Sequence, residues 1–247
     1  MPAEKAIALV LRVVEFSETS SVVTLFTREM GKIHAMAKGA RRPKGPFESA
    51  LDLLALCRIV FLRKSPGVLD LLTEAKLQKR FRPRDRELAC LYAGYYVAEL
   101  LTELTDDSDP HPELFDAAVE TLQGLAEPGT AVASLVARFE LTALRLLGHL
   151  PSLEQCVECG RPVEATGRVA FGMLVGGVLC QHCKAGQRNV VAISAGVLRA
   201  MIALAASGDA WRRLELDSRT RGELRAVLNH YLSHLLGHKP RMHEYLG

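Results

Sequence analysis

The stretch Ser21-Val22-Val23-Thr24-Leu25-Phe26-Thr27-Arg28-Glu29-Met30-Gly31-Lys32-Ile33-His34-Ala35-Met36-Ala37-Lys38 decides the fold of the N-terminal part. Its first seven residues are rich in β-branched side chains. Residues 28–31 form a short link ending in glycine, and residues 31–38 alternate apolar with polar side chains, as a half-buried strand does. Together they read as a β-hairpin. Upstream, Ile7-Ala8-Leu9-Val10-Leu11-Arg12-Val13-Val14 is a further β-branched run, set off by a polar turn at residues 17–20. Downstream, residues 53–63 and 69–77 read as strands on either side of the turn Ser65-Pro66-Gly67. Five short strands at hairpin spacing predict a small closed barrel of the OB type over residues 1–80.

From residue 84 onward the period changes from two to that of a helix. Leu88, Leu91, Tyr92, Tyr95, Tyr96, Glu99, Leu100 and Glu103 trace one helix, with apolar residues recurring three and four positions apart, and it ends in the loop cluster Asp106-Asp107-Ser108-Asp109-Pro110. Pro112 stands in the first turn of a second helix, where its missing N–H costs nothing, and Glu127-Pro128-Gly129 stops that helix. Thr130 is the expected cap of a third helix reaching about Gly148. After an interruption at residues 150–190, Ser194 is the expected cap of a fourth, and a fifth covers about 218–236. The predicted class is therefore α+β: an N-terminal OB-fold β-barrel at 1–80, then an α-helical domain at 81–247 with an inserted four-cysteine zinc finger at about 150–190.

Nearly half of the 247 residues are hydrophobic (49%), enough for a core and against intrinsic disorder. Six cysteines are too few for a disulfide-stapled secreted scaffold. The longest uncharged apolar run, residues 169–180, has 12 residues, against the ~20 that a membrane span needs. Glu4 and Lys5 precede the first strand with no small-residue cleavage site, so no signal peptide is read. These features predict a soluble intracellular protein. Its net charge of +3 hides an asymmetry. Residues 1–80 carry 14 Lys/Arg against 8 Asp/Glu, residues 85–140 carry 2 against 12, and residues 141–247 carry 13 against 8. Such separation predicts a polyanion-binding surface at the N-terminal end, with acids in the middle turned to solvent or towards a basic partner.

Cys156-Val157-Glu158-Cys159 and Cys180-Gln181-His182-Cys183 are two C-x-x-C pairs 20 residues apart. Each pair closes a tight turn with two thiolates aimed at one centre, and two such turns complete a tetrahedral shell of four thiolates for Zn2+. Gly160 suits the backbone of such a knuckle. Four thiolates leave no open position for water, so the expected zinc is structural. His182 is read as a bystander, and Cys57 and Cys90 as small core residues.

Arg28, Lys32, Lys38, Arg41, Arg42 and Lys44 face a single acid, Glu29, between residues 28 and 44. The run Lys38-Gly39-Ala40-Arg41-Arg42-Pro43-Lys44-Gly45-Pro46 follows a strand directly and reads as a loop that projects cations from a barrel edge. Cations there suit phosphate oxygens and read no base sequence. Phe16, Phe26, Phe47 and Phe61 serve a core as readily as a stacking platform.

The stretches Ala6-Ile7-Ala8-Leu9-Val10-Leu11, Phe16-Ser17-Glu18-Thr19-Ser20, the run from Thr24 to Lys32, and Lys38-Gly39-Ala40-Arg41-Arg42 resemble the N-terminal domain of the RecO family of bacterial recombination mediators. Leu71-Leu72-Thr73-Glu74-Ala75, Leu146-Leu147-Gly148-His149-Leu150-Pro151 and His234-Leu235-Leu236-Gly237-His238-Lys239-Pro240 extend the resemblance over nearly the whole chain. It implies a cytoplasmic, nucleoid-associated DNA-repair protein. Such a protein binds single- and double-stranded DNA, anneals complementary strands and, with RecR, helps load RecA onto strands covered by single-strand-binding protein (SSB). It also implies contact with the acidic C-terminal tail of SSB. An acidic and apolar tail suits an apolar groove flanked by cations of the C-terminal segment, such as Arg212, Arg213 or Arg225. By position, Arg28, Lys32, Lys38, Arg41, Arg42 and Lys44 match the family's basic region, and the four cysteines match its zinc-bearing branch.

Two other readings compete with this one. A zinc-ribbon nucleic-acid-binding factor of transcription or translation also combines a basic barrel with a four-cysteine finger. His111-Pro112-Glu113 echoes the H-x-E of zinc deaminases, but Gln155 stands where that signature has Pro, one C-x-x-C is left without a role, and no sheet is expected beside that helix. The chain lacks G-x-x-x-x-G-K-[ST], so an ATPase is not supported. No paired carboxylates or Ser/His/Asp set stands out from ordinary helix-face charge, and the expectation is a non-enzyme.

Overall fold

The computed structural model describes residues 3–42, 45, 47, 50–65, 67–83, 88–129 and 131–246. Lys44 and Thr130, singled out above, lie outside the described residues. The chain forms two compact units, residues 1–130 and 131–247. The domain boundary expected at 80/81 falls between the fifth strand and the first helix, whereas the first compact unit continues through two helices to residue 130.

The first unit is built on a closed barrel of β1 (Ala3–Glu15), β2 (Ser21–Thr27), β3 (Gly31–Ala37), β4 (Leu56–Leu62) and β5 (Asp70–Lys79), in the order β1-β2-β3-β5-β4. All pairings are antiparallel except β3 with β5. Closure depends on β1. Ala3 to Leu9 pair with β4, Ala8 to Glu15 pair with β2, and a register shift between Val10 and Arg12 bends the strand where it passes from the one partner to the other. Ala6, Ala8 and Val10, Val23 and Leu25, Ile33, Ala35 and Ala37, and Cys57, Ile59 and Phe61 point inward at period two. Five of these are alanine or cysteine, as the confined interior of a small barrel requires.

Helices α1 (Leu88–Leu104) and α2 (Pro112–Leu125) cover the outside of this barrel. Phe26, fully buried on β2, meets Phe115 of α2 with ring centroids 6.1 Å apart. A sheet therefore does flank the helix that begins after His111, contrary to the expectation. Gly94 of α1 sits where a Cβ would come within 2.7 Å of the Phe81 ring and 2.9 Å of a Leu54 methyl group, so a larger residue there would have to displace both side chains. Pro112 occupies the first turn of α2 as the sequence predicts.

The second unit holds α3 (Val132–Leu146), α4 (Ala195–Ala205) and α5 (Ser218–Leu236), which pack on one another. The α3 end is set by Leu146-Leu147-Gly148-His149: His149 N–H donates to the Leu144 carbonyl (2.7 Å) and Gly148 N–H to that of Arg145 (3.2 Å), the paired bonds of a Schellman cap. Ser194 caps α4 by accepting from Val197 N–H, and Asp217 caps α5 through Thr220 N–H. The interruption expected at 150–190 contains a three-stranded antiparallel sheet of β6 (Arg168–Gly172), β7 (Gly177–Leu179) and β8 (Val190–Ser194), in the order β7-β6-β8. The apolar run 169–180 is the β6–β7 hairpin of that sheet. Among the described residues no helix is long and apolar enough to cross a membrane.

Candidate functional site

The C-x-x-C pairs come together as the spacing predicts. One ligand atom from each of Cys156, Cys159, Cys180 and Cys183 lies within 4.8 Å of all the others. The local backbone explains why. Gly160 N–H bonds to the Cys156 carbonyl (2.8 Å), Cys156 N–H bonds to that of Arg161 (2.8 Å), and Gly160 takes a φ of +71°. The second turn is closed by Lys184 N–H on the Cys180 carbonyl (3.1 Å), and Val157 N–H on the Val178 carbonyl (3.0 Å) ties the first knuckle to β7. The Sγ atoms of Cys159 and Cys180 stand 3.8 Å apart. That matches the edge of a tetrahedron, about 3.8 Å, for ligands ~2.3 Å from a central zinc.

The electrostatics agree with this geometry. Burial opposes the Cys156 thiolate, but backbone hydrogen bonds from Cys180, Cys159 and Glu158 outweigh it and bring its pKa down to about 6. The neighbouring Cys180 and Cys159 push Cys183 up to about 12. Four thiolates this close repel one another, and a divalent cation at their centre supplies the opposite charge that allows all four to ionise. The residues fit a structural zinc site. His182 is not in this cluster, Cys57 and Cys90 are buried core residues, and His111 bonds to Asp109 at 3.0 Å.

The basic residues of the barrel divide into two groups. Lys32 is buried, and its Nζ donates to the carbonyl oxygens of Thr102 (2.7 Å) and Thr105 (2.6 Å) at the C-terminal end of α1, with Asp107 3.7 Å away. Helix α1 has no basic residue in its own last turn, so Lys32 supplies the cation that its exposed carbonyls favour. Arg28 holds both carboxylate oxygens of Asp116 on α2. Lys32 therefore leaves the set of cations that can meet a phosphate, and the charge of Arg28 is matched inside the unit. No signal in a single sequence told these apart from their neighbours, because the partners lie 70 or more residues away.

Lys38, Arg41 and Arg42 are exposed at the far end of β3. Arg42 N–H closes a turn onto the Gly39 carbonyl (3.1 Å). Arg41 ties this loop to the β1–β2 loop: its N–H reaches the Thr19 carbonyl (3.2 Å) and its Nη1 reaches the Ser17 carbonyl (3.2 Å) and Glu15 (3.1 Å). Between the two loops lies a recess of about 330 Å³ lined by Phe16, Ser17, Thr19, Ser20, Met36, Lys38, Gly39 and Arg42. Of the four phenylalanines noted above, Phe26, Phe47 and Phe61 are buried, whereas Phe16 is 67% exposed.

Of the cations expected to flank an acidic tail, Arg225 is buried against Glu140, with which it forms an ion pair. It is not a surface cation, which corrects that expectation. Arg212 stacks 4.9 Å over the Trp211 ring and bonds to Asp209, and Arg213 is exposed beside it.

Comparison with known proteins agrees with this architecture over both halves. The family model described as "Recombination protein O N terminal" matches residues 1–81, and "Recombination protein O C terminal" matches residues 86–244. The chain is 41% identical to the DNA repair protein RecO of Rhodopirellula baltica over 97% of each chain. It is 36% identical to that of Anaeromyxobacter dehalogenans over 100% of this chain and 96% of the relative. Against the Myxococcus xanthus protein the figures are 33% identity, 97% and 95%.

Proposed function

The chain belongs to the RecO family of DNA repair proteins, and from that premise we propose that it is a non-enzymatic recombination mediator that binds DNA through the loop edge of its barrel. It binds single and double strands by their phosphates, anneals complementary strands and, with RecR, helps load RecA onto SSB-covered single strands. The observation that carries this reading is the pair of joined loops at 16–20 and 38–42. They present Lys38 and Arg42 without an intervening helix, while Lys32 of the same barrel is buried against the end of α1 and Arg28 is paired with Asp116.

Annealing follows from charge. Sequence-blind neutralisation of two backbones lowers their mutual repulsion, and base pairing does the rest. Cys156, Cys159, Cys180 and Cys183 hold one zinc ion, which contributes a fixed cross-link between the two knuckles and no open coordination position. Arg212 and Arg213, beside Trp211, offer cations and an apolar face to the acidic SSB tail. The protein acts in the cytoplasm at the nucleoid. A zinc-ribbon transcription or translation factor would not account for the family match over both halves of the chain. The test is annealing of complementary oligonucleotides, bare and SSB-coated, with and without RecR. Faster annealing in the presence of the protein supports the reading, and an unchanged rate on both substrates overturns it.

A further inference from the structure

We propose that Phe16 is a base-stacking residue, and that the recess between the 16–20 and 38–42 loops takes one unpaired base of a single strand. The inference rests on the DNA-binding reading above and deepens it, because it says what the barrel recognises besides phosphate. Three observations meet at this point. The first is exposure: Phe16 is 67% open to solvent, whereas the other large aromatics of this barrel, Phe26, Phe47 and Phe61, are all buried in its core.

The second is the company Phe16 keeps. Lys38 and Arg42 line the same recess, together with Ser17, Thr19 and Ser20. An aromatic face bordered by cations and hydroxyl groups matches a nucleotide, with its flat apolar base and its charged phosphate. A purely apolar partner would leave the two cations without a role, and a bare polyanion would leave the ring without one.

The third is order. Phe16 and Ser17 N–H both donate to the Ser20 carbonyl (3.0 and 3.2 Å), and Ser20 N–H donates to Ser17 Oγ (3.2 Å). Arg41 then clamps this turn to the cation-bearing loop through Thr19 and Ser17 and neutralises Glu15. The backbone that carries the ring and the two cations is held in one arrangement before any ligand arrives, so the loops themselves need little ordering on binding. A base inside a duplex is already stacked on its neighbours, so the contribution of Phe16 is confined to single strands.

The experiment compares the full chain with Phe16→Ala and Phe16→Trp in equilibrium binding to an oligothymidine, to an abasic strand of the same length, and to a duplex. Phe16 is exposed, so the alanine variant folds. The expected result is a loss of about 5- to 150-fold in affinity for oligothymidine in Phe16→Ala. Affinity for the abasic strand and the duplex stays unchanged, and Phe16→Trp restores oligothymidine binding with quenching of its indole fluorescence. Equal affinity of wild type and Phe16→Ala for oligothymidine overturns the inference, as does an equal loss on all three ligands. If the wild-type chain binds none of the three, the underlying DNA-binding reading fails. If it binds all three equally and Phe16→Ala does the same, only the role of Phe16 fails.

Discussion

Arg28 holds Asp116 by two parallel hydrogen bonds of 2.8 and 2.9 Å, so that the β2–β3 turn grips the second helix. Beside it, Ser108 N–H bonds to the Lys32 carbonyl (2.8 Å) and His34 Nε2 lies 3.2 Å from Asp107. The sequence places a basic N-terminal segment next to an acidic middle one, and these contacts show that part of that opposition is satisfied inside the first unit. Three further cations, Lys38, Arg41 and Arg42, cluster at one edge of the barrel.

Lys32→Met should destabilise the first unit and leave the DNA affinity of the folded protein unchanged. It strips a charged donor from two carbonyl oxygens at the end of α1, a loss of ~2 kcal/mol. Urea unfolding checks the first part and a binding titration of the folded variant the second. An affinity loss without a stability loss would return Lys32 to the DNA-contact set.

Gly31→Ala should be more damaging than its size suggests. A Cβ there would lie 2.1 Å from the Asp109 carbonyl oxygen, and the residue has a φ of +71°. The β2–β3 turn and the loop before α2 would have to part. A fall of several degrees in the thermal midpoint is the expected outcome.

Purified protein should carry about one zinc per chain, and Cys156→Ser or Cys183→Ser should lose it. Elemental analysis reads this directly. Because the knuckles are tied to β7 through Val157 and Val178, the loss of metal should also loosen the β6–β8 sheet, visible as faster amide exchange at residues 177–179.

Acid should weaken the second unit through His243. Burial, with the positive charges of Arg225 and Lys239, holds its pKa down to about 4, against an ordinary value of 6.5. Between these values the unfolded chain takes up a proton that the folded chain refuses. The stabilising contribution is therefore complete above about pH 6.5 and is lost as pH falls towards about 4. His243→Gln should flatten that part of the stability profile; an identical profile would show that other groups control it.

Local signals were legible in the sequence, and distant pairings were not. The barrel strands, Pro112 at the start of α2, Ser194 as a cap and each C-x-x-C pair depend on neighbours a few residues away. The β6–β8 sheet was missed because its strands are three to five residues long and its first two form one unbroken apolar run, 169–180, without alternation. The roles of Lys32 and Arg225 were missed for a different reason. Each is a cation consumed by a partner from another element, Thr105 and Glu140 respectively, and composition counts such a cation as free. Arg138 repeats the device in the second unit, donating to the Leu204 and Ala206 carbonyls at the end of α4, a helix with no basic residue in its own last turn.

The central claim is that the loop edge of the barrel holds DNA by its phosphates. Its most direct test is the salt dependence of single-strand binding by the wild-type chain and by Lys38→Ala/Arg42→Ala. Two lost phosphate contacts should weaken binding and reduce the slope of log affinity against log salt by about 1.4. A double variant whose affinity and slope both equal those of the wild type would contradict it.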